Sequence, residues 1–180
     1  MSEDVKTIAK FLYCLSVLEE KVAYAYKSLA ERVEDPLLSS LLLYNSTDGM
    51  KHFIILKAID EELVRNLGVK AEVKDCENTL GEIWRKLIML AEEETAKKEK
   101  VGNSELVSLA NKMIAFESFF GEEYLTNLHL KIVSLMADEL KVDLGDLKGI
   151  LDWIVEDEER HEKIIAIIKD TVLKRKGGES

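Results

Sequence analysis

The chain has 180 residues, 47% apolar and 33% charged, with one Pro and nine Gly. That is enough for one domain with a sizeable core, and so few breaking residues favour long helices over short strands. A formal charge of −10 argues against nucleic acid and an anionic membrane surface as partners, and the basic run from Lys169 to Lys176 is too short to reverse it.

No run approaches about 18 apolar residues, so no transmembrane helix is expected. The opening Met1-Ser-Glu-Asp-Val-Lys lacks the basic and apolar regions of a secretory signal. The expectation is a cytoplasmic protein in which Cys14 and Cys76, which form no Cys-x-x-Cys pair, are reduced and buried.

The first helix is predicted over residues 4–33. Its apolar stripe reads Ile8, Leu12, Leu15, Glu19, Val22, Tyr26, Leu29, Val33, with steps of three and four. Glu19 is a carboxylate in the middle of that stripe, whereas Glu20 falls on the polar side with Lys27. Glu34-Asp35-Pro36 is a turn, with Asp35 as cap and Pro36 in the first helical position.

A turn this short makes the second helix, over 36–67, an antiparallel neighbour. Gly68 suits its C-terminal cap. Its inward face is read as Leu37, Leu41, Tyr44, Asp48, His52, Ile55 and Ile59. Asp48 and His52, four apart, are neighbours there, and His52 alone reads equally as a core histidine bonded to Asp48. Gly49 sits mid-helix, where it costs roughly 1 kcal/mol relative to Ala. It therefore has a packing reason or leaves room for something.

Residues 68–103 form a long crossover. Thr79-Leu-Gly-Glu82 reads as a capping box, followed by one accessory helix to about Lys98; the charge run from Glu92 to Lys100 reads as a solvated face. The third long helix is predicted over 104–140, with inward residues Leu106, Ala110, Met113, Glu117, Phe120, Tyr124, Leu128, Ile132 and Leu135. Glu117 repeats the position of Glu19 in mid-stripe. After a turn at 142–145, capped by Asp143, the fourth helix runs to about Leu173. Its stripe is Leu147, Leu151, Ile154, Glu158, His161, Ile165, Ile168 and Val172, apolar except at Glu158 and His161. The domain is thus 1–174, built of hairpins 4–67 and 104–173, with a frayed tail over 175–180.

The two halves repeat. Glu19 and Glu117 each stand seven residues before a tyrosine, Tyr26 and Tyr124, nearly two turns along the same face. Each half then supplies a histidine from its next helix: Asp48-Gly49-x-x-His52 and Asp157-Glu158-x-x-His161. Glu-x-x-His on an inward face presents an oxygen and a nitrogen to one ion from consecutive turns. Taken alone it reads more readily as a core histidine beside an edge carboxylate, but four helices each bringing a polar group to mid-stripe, in pairs, favour a metal.

On Glu19…Tyr26, His52, Glu117…Tyr124 and Glu158-x-x-His161, the chain resembles the rubrerythrin branch of the ferritin-like di-iron carboxylate proteins over residues 8–67 and 104–172. The resemblance implies an all-α, antiparallel four-helix bundle with one long crossover. It implies metal ligands Glu19, His52, Glu117, Glu158 and His161, and iron as the cofactor, as two ions or one. Gly49 stands where the pattern has a metal-bridging Glu, and Asp48 is the nearest substitute carboxylate.

Carboxylate and imidazole ligands also suit Mn(II) or Zn(II). Tyr26 and Tyr124 read either as donors to ligand carboxylates or as amphipathic packing. The expected activity is reduction of peroxide or dioxygen, or oxidation of Fe(II). It would use a small-molecule oxidant and an external electron donor, since the sequence has no rubredoxin-type cysteine set. The other reading is a non-catalytic bundle with one metal or none, serving storage, sensing or protein interaction. Either could act as a homo-oligomer.

Overall fold

The computed structural model describes residues 3–68, 70–119 and 147–177. Among these, all regular structure is helical: α1 (Glu3–Arg32), α2 (Pro36–Leu67), α3 (Val73–Leu80), α4 (Glu82–Ala96), α5 (Asn103–Phe119) and α6 (Leu147–Gly177). None of these is long and apolar enough to cross a membrane. The chain forms two compact units, Met1–Glu31 with Leu42–Lys98, and Arg32–Leu41 with Glu99–Ser180.

In the first unit, α1 is buried around most of its circumference. The expected stripe is there, from Ile8 through Glu19 and Tyr26 to Leu29, with Val22 half-buried. A second row, Ala9, Ser16, Ala23 and Ala30, repeats every seven residues beside it. Small residues let α2 approach closely: Ser46 donates to the Ala23 carbonyl at 2.8 Å. A Cβ placed on Gly49 would stand 3.4 Å from the Ala23 Cβ. Ala23 thus meets Ser46 and Gly49 while Glu19 meets His52, so the contacts advance along α2 as they retreat along α1.

The inward face of α2 is the expected one only in part: Asp48, His52 and Ile59 are buried. Leu37 and Tyr44 are exposed, at 58% and 44%, and Leu41 is only half-buried. The buried row is Leu38, Leu42, Asn45, Gly49, His52, Leu56, Ile59 and Leu63, again in steps of three and four. The leucine-rich start of this helix offers two adjacent apolar rows, and periodicity alone does not choose between them. The choice matters, because it puts Gly49, rather than Asp48, in line with His52.

The crossover holds two helices rather than one. α3 starts at a capping box formed by Glu72 and Asp75, whose Oδ2 accepts from the Glu72 N–H at 3.0 Å. The expected box at Thr79 does not form, because Thr79 lies inside α3 and its hydroxyl donates to the Asp75 carbonyl at 2.8 Å. Gly81, at φ +81°, takes the left-handed turn between α3 and α4 that a side chain would resist.

α4 buries Trp84, Leu87, Ala91 and Glu94. It runs along α1 in the same direction. Trp84 Nε1 donates to the Cys14 carbonyl at 3.2 Å, Lys21 pairs with Glu92 at 2.8 Å, and Ser28 donates to the Glu94 carbonyl at 3.2 Å. Glu94 departs from the expected solvated face: it is 2% exposed and accepts from Lys97 Nζ at 2.9 Å. Cys14 and Cys76 are not reduced thiols but a disulfide joining α1 to α3. The crossover folds back onto α1 and so brings together two cysteines 62 residues apart.

In the second unit, Asp35 caps α2 as expected, its Oδ1 accepting from the N–H groups of Leu37 and Leu38 at 3.0 and 2.9 Å. These bonds, with the guanidinium of Arg175, hold its carboxyl below the usual range. α5 turns Leu106, Leu109, Ala110 and Glu117 inward. α6 buries Leu151, Ile154, Glu158, His161, Ile165, Ile168 and Val172, the expected row. It stays helical to Gly177, through the first residues of the tail expected to fray over 175–180. Phe120, Tyr124, Leu128, Ile132 and Leu135 of the expected third helix, and the turn at 142–145, lie outside the described residues.

Candidate metal centre

The second unit brings three of the expected ligands together. Glu117 comes from α5; Glu158 and His161 come from successive turns of α6. They are 2%, 3% and 2% exposed. His161 Nδ1 lies 3.7 Å from Glu117 Oε2 and 3.6 Å from Glu158 Oε2. Each residue offers a ligand atom within 4.8 Å of the other two. Donors bound to one ion at roughly 2.0–2.2 Å stand at most about 4.4 Å apart, so a small contraction would close this set on a metal.

The electrostatics point the same way. Burial pushes the Glu117 carboxyl up to about 8, and the neighbouring Glu158 adds to the rise. For His161, burial opposes the charged ring, but Glu117 and Glu158 overcome it and carry the imidazole to about 10. Two carboxylates share a single imidazole away from water, an arrangement short of positive charge. A divalent cation supplies that charge, so the residues present fit a metal.

The first unit holds a poorer set. Glu19 and His52 are 6% and 1% exposed, with Glu19 Oε1 3.7 Å from His52 Nδ1. Gly49 lies one turn before His52 on the same buried row. A Cβ there would meet Glu19 Oε2 at 3.5 Å, an ordinary contact. A side chain at this position would therefore set out beside the Glu19 carboxylate, where a second carboxylate is absent from the sequence. Asp48 is buried but off the row, and its Oδ1 pairs with Lys51. It does not join a metal-ligating group of three among the described residues. Tyr26 is 2% exposed on the α1 row; its counterpart Tyr124 lies outside the described residues.

One further buried carboxylate escapes the sequence pattern. Asp60 on α2 is 7% exposed, and its Oδ1 has no hydrogen-bond partner among the described residues. Burial, then the charge of Glu61, raises it to about 6. It stands one residue past Ile59, off the main buried row, so steps of three and four along that row do not reach it. Comparison of the chain with family models, curated proteins and solved structures finds no match.

Proposed function

We propose that this chain is a metal-binding protein, with iron as the preferred ion, acting as an oxidoreductase on peroxide or dioxygen or oxidising Fe(II). In this reading the fold is a ferritin-like antiparallel four-helix bundle of the rubrerythrin kind. The observation that supports it most is the buried Glu117–Glu158–His161 group, whose donor atoms lie within 4.8 Å of one another. Bound iron would supply the electrons that reduce an oxidant. Glu117 and Glu158 neutralise the ion's charge, His161 adds a nitrogen donor, and the surrounding Ile154 and Ile165 exclude water. In this reading the reductant is an external electron donor.

Gly49 favours a narrower version in which one ion is held tightly and the chain stores or senses it without turnover. A second ion would depend on Glu19 and His52, two donors where the second unit supplies three. Peroxide added to the anaerobically Fe(II)-loaded chain separates the two. Stoichiometric Fe(II) oxidation with repeated turnover on adding a chemical reductant supports the oxidoreductase. Metal retention with no peroxide consumption leaves storage or sensing, and no retained metal removes both.

A further inference from the structure

α3 is an eight-residue helix that buries only Cys76 and Leu80. A helix this short has too few backbone bonds to persist by itself in water. α3 also meets α1 through the ion pair Lys10–Asp75, at 3.8 Å and part-exposed, which contributes little. The neighbouring α4 is anchored independently, through Trp84, Leu87, Ala91 and Glu94 and through Ser28. The Cys14–Cys76 bond ties α3 covalently to α1, and both cysteines are 0% exposed.

We propose that this disulfide is an oxidation-set clasp whose state decides whether α3 is docked on α1. Oxidised, α3 is held down. Reduced, it opens about Gly81 while α4 stays in place. Sulfur this deeply buried meets a reductant or oxidant only when α3 lifts, so opening and redox exchange are one event.

Hydrogen peroxide serves as the oxidant. One thiolate attacks the peroxide oxygen, forming a sulfenic acid and releasing water. The second thiol attacks that sulfur, forming the S–S bond and releasing a second water. Dithiothreitol reverses this by two thiol–disulfide exchanges, leaving two thiols here and a cyclic disulfide on the reagent. The arrangement operates independently of the metal centre.

Hydrogen exchange on the full chain, before and after dithiothreitol, tests it. Reduction should raise exchange at the Val73–Leu80 amides by about tenfold or more while α1 and α4 keep their protection. Trypsin should then cut after Lys74 only in the reduced chain, and hydrogen peroxide should restore resistance. Cys76→Ser should behave as reduced chain under all conditions, and Cys14→Ala with Cys76→Ala checks that lost packing alone is not responsible. Unchanged α3 exchange on reduction would overturn the clasp. So would loss of protection throughout the first unit, which would make the bond a staple of the whole unit, or failure of peroxide to re-form it.

Discussion

Replacing Glu117 with Gln keeps the shape of the side chain and removes one of two carboxylates buried around a single imidazole. Without metal, relief of burial and of repulsion by Glu158 should stabilise the chain by roughly 1–3 kcal/mol. Metal affinity should fall by at least about tenfold, since outer partners of metal ligands already cost that much. Urea unfolding in chelator, set beside Fe(II) titration, reads both effects. A variant that lost stability and kept its metal would mean the cluster is a structural ion-pair network.

Gly49→Glu makes the opposite change. Its Cβ has room, but its carboxylate would lie beside that of Glu19. The metal-free variant should be less stable by about 1–3 kcal/mol, and Fe(II) should restore more than it restores to the parent. Melting with and without Fe(II) decides, and equal shifts in the two proteins would count against the position.

Asp60 gives a pH signature away from both sets. Its folded value of about 6 lies above the usual 3.8. The folded state therefore holds the proton more tightly, and stability contributed by that proton is present below about pH 4 and lost as pH rises through 6. Asp60→Asn should remove this slope and raise stability at pH 7, where the parent must bury an ionised carboxylate. Parallel pH–stability curves for the two proteins between pH 4 and 7 would refute it.

Among the helices, legibility followed how sharply a single apolar row is defined. α6 has one such row, interrupted only by Glu158 and His161, and its burial is the one expected. α2 begins Pro36-Leu-Leu-Ser-Ser-Leu-Leu-Leu-Tyr, with two neighbouring rows, of which the expected one, with Leu37 and Tyr44, is exposed. The expected face therefore puts Asp48, rather than Gly49, in line with His52. The crossover was least legible: its second helix, the Glu72–Asp75 box and the Cys14–Cys76 bond all depend on the chain folding back onto α1, which no local pattern encodes. The indole of Trp84 records that docking. Trp84→Phe keeps most of the buried ring but removes the indole's bond to the Cys14 carbonyl, so unfolding free energy should drop by about 1 kcal/mol. A drop below a few tenths would mean that water replaces the indole there.

For the whole molecule, the second unit carries a metal-ligating group of three from α5 and α6, and the first carries two ligands and a glycine. The proposal is accordingly unequal: one strong site, and a second that is weak without a carboxylate at position 49. This inequality was readable in the sequence from Gly49 against Glu158, whereas the proximity of Glu117 to His161 required the packing of α5 on α6. Anaerobic Fe(II) titration of the metal-free chain, with bound iron counted after gel filtration, tests this most directly. About one tightly held ion per chain is expected, abolished by Glu117→Gln or His161→Ala and insensitive to His52→Ala. No retained iron, or retention that survives Glu117→Gln and His161→Ala, would contradict it.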